Sequence, residues 1–200
     1  MSARASILAA IRGAAVPAAE LPDLVCLSKI AAEAPEAAAD LVRRFVAVLE
    51  EVGGRTVELS GPEGLEAAVA AVCAEHSGVV SCVPGLAVST LTIGPDASRA
   101  RLDEIGVAIV PGRVGVAENG AIWVDEADLP HRAVPVIAPH LAIVLHKRDI
   151  VADMHAAYRR LPRPLPGYGV FISGPSKTAD IEQSLVIGAQ GPKSLVVLLV

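Results

Sequence analysis

The stretch RTVELSGPEGLEAAVAAVCAEHSGVVSCV, residues 55–83, decides the fold class. Its two ends, Arg55–Leu59 and Gly78–Val83, are short apolar runs that contain β-branched valines, which is typical of strands. Between them, Leu65–His76 is an alanine-rich segment that predicts a helix. Strands joined by a helix usually lie parallel in one sheet. We therefore predict an α/β fold with a mostly parallel sheet flanked by helices.

The alternation of strands and helices continues along the chain with one interruption. Strand-like runs separated by glycine and proline turns fill residues 107–146, and no helix is predicted among them, which indicates a short antiparallel excursion. Beyond it we expect a helix over Asp149–Leu161, a strand (YGVFIS), a helix over Ala179–Gly188 and a closing strand (SLVVLLV). The closing strand carries apolar residues on both of its faces, so we expect other parts of the protein to cover it on both sides.

Two helices are predicted before the α/β region. Apolar residues share one helical face within Ala3–Ala15 and again within Ala34–Val52, where two glycines follow. We therefore predict an N-terminal helical segment, residues 1–54, and an α/β domain, residues 55–200, that forms one structural unit.

The composition argues against several classes of partner. The net charge is −5 and no basic patch with interleaved aromatic residues is present, so we do not expect a nucleic-acid partner. No apolar run approaches the roughly 20 residues that a membrane span needs, and the N-terminus lacks the apolar core of a signal peptide. We predict a cytoplasmic protein without a membrane partner.

The cysteines and histidines give no sign of a metal centre. The chain has three cysteines (Cys26, Cys73 and Cys82), none in a C-x-x-C pair, whereas iron–sulfur clusters usually require four thiolates. The five histidines show no ligand spacing, and the glycine patterns of nucleotide sites are absent. We therefore predict that this chain binds no metal and no nucleotide cofactor.

The first candidate site lies in FISGPSKTADIEQ, residues 171–183. A predicted strand ends there in a Gly-Pro turn before a predicted helix, so backbone N–H groups and the positive helix end would point at one spot. An ammonium and two hydroxyl groups would add further donors. The turn predicts a site for a carboxylate or phosphate, formed by Ser173, Gly174, Ser176, Lys177 and Thr178. The alternative is that Thr178 merely caps the helix.

The second candidate lies in PGRVGVAENGAIWV, residues 111–124. Glu118 stands on a tight turn before a strand, where a carboxylate can serve as a nucleophile or general base. We take Glu118 as the candidate catalytic residue, with Asn119 and Gly120 as candidate ligand-binding residues. The alternative is a solvated turn, because Asn-Gly is itself a hairpin-turn signal.

These two segments carry a family resemblance. SGPSKTADIEQSLVIGAQGPKSLVVLLV, residues 173–200, resembles the C-terminal signature of the lactate-utilisation protein C (LUD-domain) family. GVAENGAIWVDE, residues 115–126, resembles a second signature of that family, with Asn119 where a hydroxyl residue is common. The resemblance covers nearly the whole chain and is loosest between Ala14 and Arg55.

The resemblance implies a NagB/RpiA/CoA transferase-like fold, shared with ribose-5-phosphate isomerase and glucosamine-phosphate deaminase. It also implies a subunit that works with two iron–sulfur proteins to oxidise L-lactate to pyruvate. The Glu118-Asn119-Gly120 triplet is similar to the catalytic glutamate motif of CoA transferases, which would make Glu118 a thioester-forming nucleophile.

Three hypotheses about function stay open on the sequence. The first is a lactate-utilisation subunit that binds a small anion or carboxylate, together with the iron–sulfur proteins. The second is a stand-alone acyl- or sugar-phosphate-type enzyme that uses Glu118. The third is a non-catalytic assembly module.

Overall fold

In the computed structural model, the residues described are 2–14, 37–162, 167–179 and 185–200. Contacts divide the chain into two units, Met1–Pro35 and Glu36–Val200. The first unit contains helix α1 (Ala3–Gly13), which confirms the first predicted helix. Its N-terminus is capped by Ser2, whose hydroxyl accepts the Ala5 N–H at 3.3 Å.

The second unit begins with α2 (Ala38–Glu51), which buries Phe45 and Leu49 completely. Gly53, at a φ of +84°, then turns the chain into strand β1 (Arg55–Glu58). The predicted division assigns this helix to the N-terminal segment, whereas its contacts place it in the second unit. The domain boundary at residue 54 itself stays a prediction.

The other elements of the second unit follow in chain order. They are α3 (Leu65–Cys73), β2 (Val79–Ser81), α4 (Arg99–Leu102), β3 (Val107–Gly112), β4 (Val114–Val116), β5 (Ile122–Asp125), α5 (Val134–Ile137), β6 (His140–Leu145), β7 (Ile150–Val151), α6 (Met154–Arg160), β8 (Gly169–Ile172), β9 (Lys177–Ala179), β10 (Leu185–Ile187) and β11 (Ser194–Leu199).

The central sheet has five strands in the order β1-β11-β6-β3-β2, and every neighbouring pair is parallel. This confirms the predicted α/β class with a mostly parallel sheet. The closing strand β11 is paired on both sides and buries most of its side chains, as the apolar pattern predicted.

A second sheet, in the order β7-β4-β5-β8, contains the predicted antiparallel excursion. The pairs β4–β5 and β5–β8 are antiparallel. Helix α2 joins the two sheets, because its buried Phe45 and Leu49 belong to one apolar cluster with Ile122 of β5 and Ile143 of β6. Among the residues described, no helix has both the length and the apolar character that crossing a bilayer requires.

Two predictions about the helices between residues 107 and 161 were wrong. Residues 134–137 form helix α5 where only strands were predicted, and Pro135 sits in its first turn, where a missing N–H costs nothing. Helix α6 begins at Met154 instead of near Asp149, because the Asp153 carboxylate accepts the Ala156 N–H and fixes the helix start.

The helix predicted over Ala179–Gly188 was also wrong where the structure describes it. Strand β9 and strand β10 pair antiparallel there, with Thr178 opposite Val186. Residues 180–184 lie outside the described residues. The β-branched side chains of this segment favour extended backbone, and this preference outweighs the Thr/Asp/Glu pattern that resembled a helix start.

Candidate functional site

The turn after β8 is held tightly against the end of helix α2. Gly174 has a φ of +74°, and a β-carbon at that position would lie 2.5 Å from the Val52 carbonyl oxygen. The Ser176 N–H donates to the Pro192 carbonyl at 2.8 Å, and the Ser176 carbonyl accepts the Gly188 N–H at 2.9 Å. The backbone of the turn is therefore fixed by contacts on two sides.

The turn between β4 and β5 packs against the same end of α2. Gly120 has a φ of +66°, and its missing β-carbon would lie 3.1 Å from the Leu49 α-carbon. The Asn119 side-chain oxygen accepts the Ala121 N–H at 3.1 Å, which closes an Asx turn. Asn119 thus shapes the loop through its own side chain.

A hydrogen bond joins the two turns. The Ser173 hydroxyl donates to the Asn119 carbonyl oxygen at 2.7 Å. The structure therefore brings together Ser173, Gly174, Asn119 and Gly120, which lie far apart in the sequence. Leu49 and Val52, at the end of α2, form the common surface on which both glycine turns rest.

Glu118 has a structural partner. Its side chain is exposed, and one carboxylate oxygen accepts the Met154 N–H at 3.1 Å. The carboxylate therefore helps to cap the first turn of α6, beside the capping Asp153. The nucleophilic role of Glu118 stays a prediction, and any such role must break or share this hydrogen bond.

Lys177 is exposed and lies beside the turn that follows α2. Its Cε and Nζ atoms are 3.6 Å from the point where a β-carbon on Gly53 would sit. The carbonyl groups at a helix C-terminus carry partial negative charge, so this position favours a cation. The ammonium group therefore lies close to the C-terminal end of α2 and is exposed.

A cavity of about 310 Å³ opens at this turn. Its walls contain both polar and apolar residues, among them Ser173, Gly174, Ser176, Lys177, Pro135, Val136 and Phe171. Thr178, the next residue of strand β9, is not part of the wall. The cavity combines one cation and hydroxyl groups with apolar surface, which suits a small organic carboxylate.

The predicted source of positive potential at this turn was wrong. Residues 177–179 form strand β9, so the helix N-terminus predicted after Thr178 is not found in the described residues. The remaining side-chain donors for an anion among the lining residues are the ammonium of Lys177, the hydroxyl of Ser176 and the amide of Gln190.

A second polar cleft was not predicted from the sequence. His76 and His140 stack on each other beside Arg55 and Ser194. The sequence showed no signal for it, because the crossover through α3 and the sheet brings together residues from four separate segments.

The described cysteines are protonated thiols at neutral pH. Burial, and secondarily the charge of Asp128, raises the pKa of Cys82 to about 11, and burial raises the pKa of Cys73 as well. Cys26 lies outside the described residues. Within the described part of the chain, no three His, Cys, Asp or Glu side chains are grouped as a metal ion would require.

Comparison with known proteins identifies a family and several relatives. Residues 95–200 match the family model described as "LUD domain". The chain is 30% identical over 182 residues to "Lactate utilization protein C" of Deinococcus radiodurans, covering 84% of this chain and 82% of that protein. It is 33% identical over 100 residues to the protein of that name in Shouchella clausii, covering 47% of this chain and 42% of that protein.

A solved structure supports the same fold. The crystal structure of a DUF162 family protein from Deinococcus radiodurans superposes with a TM-score of 0.60 at 21% identity, covering 82% of this chain and 99% of that chain. Apart from the Deinococcus radiodurans protein, the curated relatives are matched over less than half of their length.

Proposed function

Because the chain belongs to the LUD domain family, we propose that it is a subunit of a lactate-utilisation system. We further propose that it binds a small carboxylate, L-lactate in the first instance, in the cavity beside Lys177. The proteins named lactate utilization protein C that it resembles support the substrate class. The observation that carries the proposal is the cavity itself, which is lined by the turn Ser173–Lys177 together with apolar residues.

L-lactate has a carboxylate and a methyl group, which fit the polar and the apolar lining residues of this cavity. The carboxylate pairs with the Lys177 ammonium in a charge-assisted hydrogen bond, and the Ser176 hydroxyl is within the same wall. The methyl group of lactate lies against the apolar lining residues Pro135 and Val136. Since the Ser173 hydroxyl already donates a hydrogen bond to the Asn119 carbonyl oxygen, its role is to hold the turn in place.

The redox step of this proposal belongs to partner proteins. With only three cysteines the chain lacks the four thiolates that usually hold an iron–sulfur cluster, so we assign the electron acceptors to two iron–sulfur proteins that act with it. This chain then supplies the binding and orientation of the carboxylate and no cofactor. The cytoplasmic location predicted from the sequence stays part of the proposal.

Deletion of the gene tests the proposal. We expect the deletion strain to fail to grow on L-lactate and to grow normally on pyruvate, since only the oxidation step is lost. A wild-type copy should restore growth. A Lys177→Ala copy should restore it poorly, because losing the charged partner weakens carboxylate binding roughly tenfold or more.

An Arg159→Ala copy is the matched control, since Arg159 is an exposed cation on α6 that does not line the cavity. It should restore growth as well as the wild type does. Normal growth of the deletion strain on L-lactate, in a strain with no second copy of the gene, would refute the proposed function.

An assembly role is the second candidate. Four apolar side chains are exposed on α5 and β10, namely Val136, Ile137, Val186 and Ile187, at 42–52% of their full accessibility. Exposed apolar groups of this kind often mark protein contacts. This candidate differs from the first because it predicts no binding of lactate by the isolated chain.

A further inference from the structure

A second cavity, of about 430 Å³, opens at the N-terminal ends of the parallel strands of the central sheet. The first residues of three neighbouring strands line it: Arg55 of β1, Ser194 of β11 and His140 of β6. His76, which follows α3, closes the other side. The cavity shares no lining residue with the one beside Lys177.

The two histidines form a stacked pair. Their ring centroids are 4.1 Å apart and the ring planes differ by 20°. The Nδ1 atom of His140 is 2.8 Å from the Ser194 hydroxyl oxygen. Within the described residues, Nε2 of His140 and both ring nitrogens of His76 have no hydrogen-bond partner, so they are available to a ligand.

The surrounding charge is mainly positive. The guanidinium group of Arg55 has no ion pair or hydrogen bond with any described residue, and Lys193 directly precedes Ser194. Glu75 is the one carboxylate in the described lining. Burial, and then the nearby His76 and Lys193, lower the pKa of His140. The last two effects are the repulsions that a bound anion would relieve.

We propose that this cleft binds phosphate or a phosphate monoester. Its donors start from three adjacent strands and a loop, and a phosphate group offers several acceptor oxygens that a single carboxylate lacks. The guanidinium of Arg55 matches two such oxygens in a fork, while the imidazoles of His76 and His140 supply ring N–H groups. A cavity of about 430 Å³ exceeds the size of phosphate alone and leaves room for an ester group.

The proposal predicts a definite dependence on pH. A dianion stabilises protonated imidazole, so it should raise the pKa of both His76 and His140, and its affinity should increase as the pH falls through those values. The other charged groups around the pair are the basic side chains of Arg55 and Lys193 and the carboxylate of Glu75, and side chains of these types ordinarily titrate far from neutral pH. The imidazoles are therefore the groups that change charge in this range.

NMR titration of the imidazole groups in the full chain tests the site. Inorganic phosphate should raise the pKa of both rings, relative to sodium chloride at equal ionic strength. Sulfate, which stays a dianion from pH 5.5 to 8, isolates the effect of histidine charge and should bind at least about threefold more tightly at the lower pH. Unchanged imidazole pKa values in saturating phosphate would overturn the proposal.

Two variants locate the binding. Arg55→Gln and His76→Gln should each weaken phosphate binding about tenfold, while Arg159→Gln on α6 should bind phosphate as the wild type does. Wild-type affinity in both cleft variants would place any phosphate elsewhere and overturn the assignment. The site does not depend on the proposed function: L-lactate should leave the His76 and His140 signals unchanged, and failure of lactate to bind would leave the phosphate result intact.

Discussion

Replacement of Phe45 by alanine should lower the free energy of unfolding by about 3–5 kcal/mol. Phe45 is completely buried in α2, and its ring shares one apolar cluster with residues of both sheets, among them Ile122 and Leu145. Truncation leaves a cavity at the point where the two sheets are joined. Thermal denaturation followed by circular dichroism should show a fall in Tm of roughly 6–20 °C.

Ile137→Ala is the control for this prediction. Ile137 lies on α5 and keeps 42% of its surface exposed, so its truncation should change the free energy of unfolding by less than about 0.5 kcal/mol. If Phe45→Ala cost no more than Ile137→Ala, α2 would not be the element that holds the two sheets together.

Gly174→Ala should cost about 2–4 kcal/mol and reduce binding at the cavity beside Lys177. The positive φ of Gly174 is unfavourable for alanine, and its β-carbon would collide with the Val52 carbonyl at 2.5 Å, where backbone has to move. The turn would be pushed away from α2, which displaces Ser173 and Lys177. Urea denaturation measures the stability, and titration with L-lactate measures the binding.

Gly85→Ala separates the stability cost of the positive φ from the cost of the collision with Val52. Gly85 has a similar φ of +79°, but nothing lies within 4 Å of its missing β-carbon. This variant should cost only about 1 kcal/mol, from backbone strain alone. Equal costs for Gly174→Ala and Gly85→Ala would show that the contact with Val52 does not determine the position of the turn.

The strands of the central sheet were predictable because their side chains are apolar on both faces. The closing strand β11 is the clearest case, since burial between β1 and β6 demands the pattern that SLVVLLV displays. The stretch around residues 55–83 likewise carried a strand, a helix and a strand in an order that only a parallel sheet accommodates well.

The secondary structure of short apolar segments was less predictable, because such sequences favour a helix and a strand about equally. Residues 134–137 and 185–187 were assigned to the wrong type: Pro135 suits the first turn of a helix, and the β-branched Val186 and Ile187 favour a strand. The β9–β10 hairpin matters most, since it removes the helix end on which the predicted anion site partly depended.

The candidate site was partly predictable. The Gly-Pro turn and the Asn-Gly turn each stood out by residue type, but their meeting through Ser173 and Asn119 depends on the packing of both against α2. The stacked pair of His76 and His140 had no local signature, because the crossover through α3 and the order of the sheet together bring these two residues into contact.

The most direct measurement is a titration of the isolated chain with L-lactate, followed by backbone and side-chain NMR shifts. We predict saturable shifts at Ser173, Gly174, Ser176 and Lys177, and an affinity about tenfold weaker in Lys177→Gln. Absence of shifts at this turn, or equal affinity in the wild type and Lys177→Gln, would contradict the proposal that the cavity binds the carboxylate.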